Sequence, residues 1–68
     1  MRQEINVKPP VELGEEYDVT IESTGSGGDG VAKINGYVIF VKEAQEGDNP
    51  RIKITKIGRS FAIAERVI

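Results

Sequence analysis

Val31-Ala32-Lys33-Ile34-Asn35-Gly36-Tyr37-Val38-Ile39-Phe40-Val41 is the stretch that decides how this chain folds. Two apolar runs rich in β-branched residues flank Asn35-Gly36. Branching at Cβ restricts χ1 in a helix and packs well on a pleated surface, so such runs favour strands. An Asn-Gly pair between them is a strong signal for a two-residue type I′ hairpin, because both turn positions need positive φ. The second run is apolar at each of its five positions, so both faces of that strand are apolar. Either protein covers both faces, or one is presented to a partner.

The flanking sequence supplies more strands. Leu13-Gly14-Glu15-Glu16 reads as a lead-in turn. Tyr17-Asp18-Val19-Thr20-Ile21-Glu22 alternates with period two, which places Tyr17, Val19 and Ile21 inward. After the hairpin, 42–50 is a polar loop containing Gly47-Asp48, and Arg51-Ile52-Lys53-Ile54-Thr55-Lys56-Ile57 reads as an alternating strand with basic residues outward. Gly58-Arg59-Ser60 is a turn. Phe61-Ala62-Ile63-Ala64-Glu65-Arg66-Val67 fits helix or strand by pattern; it is short for a helix and its neighbours are strands, so it is assigned as a strand. Pro9-Pro10 blocks a helix, leaving 1–10 as an extended tail before a domain over 11–68.

Composition agrees. The 68 residues allow one small domain, and 38% apolar content is enough for it to fold. Seven Val and nine Ile stand against one Leu, a strong lean toward strands, and eight Gly with three Pro supply turns. The expected fold is all-β: a small five-stranded barrel of the oligonucleotide/oligosaccharide-binding (OB) type, closed to hide its edges. An SH3-like barrel is the alternative.

Several chemistries are excluded. With no Cys and no His there is no thiolate nucleophile, imidazole base, disulfide or zinc finger. Gly25-Ser26-Gly27-Gly28-Asp29-Gly30 resembles a phosphate loop only in glycine content. A P-loop ends in Gly-Lys-Ser/Thr and opens a helix, whereas Val31-Ala32 and a strand follow here. The run reads as a turn needing positive φ. Asp29 and Asp48 each adjoin Gly, as turn residues do, and no EF-hand spacing is present. No catalytic residue, metal site or cofactor is assigned. The sequence has no apolar run of membrane length and no secretory leader at its start, so a soluble cytoplasmic monomer is expected.

Charge is unevenly placed. The first 30 residues hold two basic and seven acidic residues, net −5, and the remainder holds seven basic and four acidic, net +3. The basic half suits a polyanion, because the charge of a patch matters more than the net charge of −2. The same half contains three of the four aromatics, Tyr37, Phe40 and Phe61. Tyr37 and Phe40 lie three apart, so in a regular strand at least one faces away from the interior. An exposed ring beside Lys33, Lys42, Arg51 or Arg59 makes a stacking platform with phosphate contacts, with Lys53 on the basic strand.

In order along the chain come Gly14, the alternating strand from Tyr17, and Gly28-Asp29-Gly30-Val31-Ala32. Gly36-Tyr37-Val38-Ile39-Phe40-Val41, Gly47-Asp48, the basic strand and Phe61-Ala62-Ile63-Ala64-Glu65 follow. Over residues 11–67 this ordered set resembles the TRAM domain, a small OB-like barrel. The resemblance implies RNA binding, with contacts on Lys33, Tyr37, Phe40 and Phe61 and with Arg59 one position from the family's last basic residue. It also implies a stand-alone archaeal-type protein similar in role to cold-shock RNA chaperones, binding tRNA or single-stranded RNA with little sequence preference. The competing expectation is a protein-interaction module docking on an RNA-modification or ribosomal partner through the doubly apolar strand.

Overall fold

Asn35 and Gly36 both take positive φ, 52° and 81°, which is the backbone a type I′ turn requires. They join β3 (Gly30–Ile34) to β4 (Tyr37–Val41) in continuous antiparallel register from Gly30↔Val41 to Ile34↔Tyr37. The computed structural model describes residues 10–67 of the chain, so the expected tail lies outside the described residues except for Pro10. The remaining strands are β1 (Glu16–Asp18), β2 (Ser23–Thr24), β5 (Arg51–Ile57) and β6 (Phe61–Arg66). They form one sheet in the order β1-β5-β6-β4-β3-β2, with β4 and β6 parallel and the other pairs antiparallel. The fold is all-β and OB-like, as expected.

There are six strands rather than the five expected. The strand expected over 17–22 keeps strand pairing only at Tyr17 and Asp18, within β1, and Ser23-Thr24, expected as loop, forms β2, so two short strands stand where one was expected. β1 pairs with β5 and β2 pairs with β3, at opposite ends of the sheet. Of the residues between them, Glu22 donates its N–H to the Val31 carbonyl of β3 (2.7 Å), and the middle of the segment turns to a loop. There the Val19 N–H donates to the Pro50 carbonyl (3.1 Å) and the Ile21 N–H to the Asp48 carbonyl (2.8 Å), while Gly47 donates back to Ile21 (2.9 Å). Residues 16–24 thus run as one bent segment from one edge of the sheet to the other, curling it toward a closed barrel and satisfying the backbone that an open sheet would leave bare.

The interior is aliphatic. Ile21, Ile39, Ile52, Ile54, Val11 and Val41 are fully buried, and the small side chains of Ala32, Ala44, Ala62 and Ala64 are buried with them. Tyr17, Ile34, Tyr37 and Ile57 close the rim around this core. Inward residues on β4 are Tyr37, Ile39 and Val41; Val38 and Phe40 are left on the outer face.

One irregularity changes which side chains point out. The β5–β6 register shifts between Ile54 and Lys56, leaving Thr55 as an extra residue, a β-bulge, whose hydroxyl donates to the Ile63 carbonyl at 3.2 Å. Strict alternation from the buried Ile52 and Ile54 would send Lys56 inward. The bulge returns it to the outer face, opposite Ile63, and lets Ile57 pack inward.

Candidate nucleic-acid interface

Paired residues line up in rows across the outer face. One row runs Val31–Phe40–Ile63–Lys56 over β3, β4, β6 and β5. The next runs Lys33–Val38–Phe61 and reaches the β5–β6 turn that carries Arg59. These two rows hold five apolar side chains on a face that the core does not use. Phe40 is 37% exposed, and its ring meets Phe61 edge-on with centroids 5.8 Å apart and planes at 67°. A pair of rings in this geometry is stable by itself, with the negative face of one against the positive edge of the other. Lys33 and Lys56 end the rows, both exposed.

Farther along the strands the character changes. Lys53 on β5 lies between Glu65 on β6 and Glu16 on β1, and Arg51 lies opposite Asp18. Arg51 donates to Glu16 Oε1 at 3.0 Å and to Asp18 Oδ2 at 3.1 Å. Those bonds, that to Glu16 first and that to Asp18 next, push the guanidinium pKa above its ordinary value. This end of the face therefore brings its own counter-ions. Lys42 belongs to a third setting, a cleft at the ends of β4 and β6 lined by Lys42, Glu43, Glu65, Arg66 and Val67. Two cations face two carboxylates there, and Arg66 Nη1 donates to the Glu43 carbonyl at 3.0 Å.

Of the residues singled out from sequence, the structure brings Lys33, Phe40, Phe61 and Arg59 to one region of the outer face. Arg51 and Lys53 share that face but sit among carboxylates. Tyr37 is on the inner side: its ring packs against the core, and its hydroxyl lies 2.5 Å from the Gly58 carbonyl oxygen and 2.8 Å from that of Phe61. Sequence reasoning set Lys56 outward with Arg51 and Lys53 but did not count it among the binding residues, and it missed Val31, Val38 and Ile63. The signal for Lys56 was the three-residue offset between Ile54 and Ile57, the same parity break that marked Tyr37 and Phe40. Among the described residues no cluster of three or more acidic side chains is arranged to hold a metal ion, and no helix is long and apolar enough to cross a membrane.

An OB-like barrel with a ring pair and flanking cations on its outer face defines a small β-barrel binding module. The TRAM domain family matches residues 10–67, and the chain belongs to that family. It is 47% identical over 64 residues to an uncharacterized protein of Methanocaldococcus jannaschii, covering 94% of this chain and 83% of that one. It is 54% identical over 55 residues to translation initiation factor 2 subunit beta of Picrophilus torridus and 49% identical over 55 residues to ribosomal RNA large subunit methyltransferase E of Methanothrix thermoacetophila. Each match covers 81% of this chain but only 27% of the factor and 22% of the methyltransferase. The solution structure of a conserved protein of Methanococcus maripaludis superposes with a TM-score of 0.84 at 51% identity, covering 90% of this chain and 87% of that one.

Proposed function

We propose that this protein is an RNA-binding module, not a catalyst, that takes unpaired RNA across the outer face. Bases stack on Phe40 and Phe61, and phosphates meet Lys33, Lys56 and Arg59, with Lys53 and Arg51 as an outer reserve. The observation that carries the reading is the pairing of exposed Phe40 with half-buried Phe61 in two apolar rows, each of which ends in a lysine. The rings offer π-faces that every base can use, and the cations offer charge that every phosphate can use, so sequence preference is low. Membership in a family whose relatives include a ribosomal RNA methyltransferase and a translation initiation factor subunit supports an RNA partner over other polyanions. A cytoplasmic monomer that loosens weak RNA structure without ATP, in the manner of a cold-shock chaperone and with tRNA among its ligands, is the form of the function we favour.

The test is an NMR titration of labelled protein with a short unstructured RNA at low and physiological salt. Shifts should cluster on Lys33, Val38, Phe40, Lys56, Arg59, Phe61 and Ile63. With about four phosphate contacts on a single strand, the log–log salt slope should lie near −3. Phe40→Ala and Phe61→Ala should each weaken binding about 5- to 150-fold, the equivalent of about 1–3 kcal/mol of stacking. A flat salt dependence and no shifts at millimolar RNA would hand the apolar rows to a protein partner instead. A Lys33→Glu/Arg59→Glu variant separates the two, since an apolar protein interface would tolerate it and an RNA platform would not.

A further inference from the structure

Phe61 begins a strand directly after a turn, a position from which an aromatic ring would ordinarily swing. Gly58 and Phe61 close a two-residue turn over Arg59-Ser60, with the Gly58 N–H donating to the Phe61 carbonyl at 2.6 Å. Neither Arg59 nor Ser60 takes positive φ. Two-residue hairpins are favoured in the primed turns, which need positive φ, because their twist matches that of the strands. The β3–β4 hairpin meets that requirement through Asn35 and Gly36; the β5–β6 turn does not.

A different contact holds the β5–β6 turn: Tyr37 reaches it from β4, the strand that pairs with β6. Its hydroxyl lies against the carbonyl oxygens of both closing residues, Gly58 and Phe61. The ring of Phe61 in turn lies on Gly58. A Cβ at Gly58 would stand 2.9 Å from Cε1, 3.1 Å from Cζ and 3.2 Å from Cδ1 of that ring. Real Cβ atoms do not approach so closely, and φ at Gly58 is not positive, so the glycine is explained by the ring and not by the backbone.

We infer that Tyr37 and Gly58 are positioning residues for the aromatic platform: Tyr37 fixes the turn from inside, and Gly58 provides the floor on which the Phe61 ring lies. On this account Tyr37 acts on a ligand through Phe61 and does not touch it. The inference rests on the RNA-binding reading for its functional consequence but not for its geometry.

Tyr37→Phe keeps the inward ring and removes only the hydroxyl. Two measurements are made on it, RNA affinity as a function of salt and the Gly58 Hα chemical shifts. In the wild type, the Phe61 ring against Gly58 should shield its Hα protons and move them off ordinary glycine values. Tyr37→Phe should move those shifts toward ordinary glycine values and weaken RNA binding about fivefold or more, with the salt slope unchanged because no phosphate contact is lost. Gly58→Ala should weaken RNA binding likewise by displacing the ring; if that variant does not fold, Tyr37→Phe decides alone. Gly58 shifts that stay at wild-type values in Tyr37→Phe overturn the inference. So do altered shifts with undiminished affinity, when Phe61→Ala itself weakens binding. If Phe61→Ala binds RNA like the wild type, the RNA reading of Phe61 fails, and the Gly58 shifts still decide whether Tyr37 holds the ring.

Discussion

Gly30 opens β3 where three parts of the chain converge. A Cβ there would lie 2.8 Å from Ile21 Cγ2 and 2.9 Å from the Ala44 Cβ, both on fully buried residues. Gly30→Ala must therefore push the first strand or the β4–β5 loop outward. The expected loss is about 1–3 kcal/mol, read from the shift of the urea midpoint. Nothing local announces this. Within Gly25-Ser26-Gly27-Gly28-Asp29-Gly30 each glycine reads as a turn residue, and Gly28 does take φ of 90°. Gly30 and Gly58 are glycines for a different reason, crowding by residues brought near by the fold, and sequence spacing does not carry that information. What spacing did carry was parity. The offset of three between Tyr37 and Phe40 required one ring to leave the interior, and β4 runs without a bulge, so Phe40 is the outward one.

At the scale of elements, β5 shows both what a pattern can reveal and what it hides. Its identity as a strand with outward cations was legible. The bulge at Thr55 was not, because a run of isoleucines and lysines looks alternating until the Ile54 to Ile57 interval is counted. Pairing partners were hidden as well: that Glu16 and Asp18 would lie beside Arg51 depends on β1 joining β5, a contact across more than thirty residues. Those carboxylates occupy the guanidinium groups that a phosphate would use. Glu16→Gln/Asp18→Asn should release Arg51, raise RNA affinity and steepen the log–log salt slope by about 0.7, the increment of one further contact. The urea midpoint should barely move, since the pair is exposed. Glu12→Gln/Glu46→Gln, which removes the same charge elsewhere, is the control; an equal gain there would attribute the effect to net charge alone.

For the molecule as a whole, closure depends on one segment. Residues 16–24 bond to β5 at one end, to 47–50 in the middle and to β3 at the other end. Ile21 is at its centre, 1% exposed. Ile21→Ala should cost about 2–5 kcal/mol. The barrel should unfold as a single unit, so that urea transitions followed by far-UV circular dichroism and by tyrosine fluorescence coincide for wild type and variant alike. Separate transitions would mean that the β3–β4 hairpin persists without the segment that closes the sheet. The barrel class was legible from strand count and turn chemistry. The division of its first strand was not, because the backbone partners of Val19 and Ile21 are supplied by a loop.

If the protein acts as the RNA chaperone proposed above, the angle between the two rings bears on how it would work. Neighbouring bases in a helix lie parallel and gain much of their stability from each other. The planes of Phe40 and Phe61 differ by 67°. An RNA that rests one base on each ring has to tilt those bases apart, and so gives up their mutual stacking in exchange for the protein's. A strand held in that way is a poor partner for its complement. On the proposed function, unwinding would require no motor and no nucleotide hydrolysis, only a surface whose two faces disagree in direction.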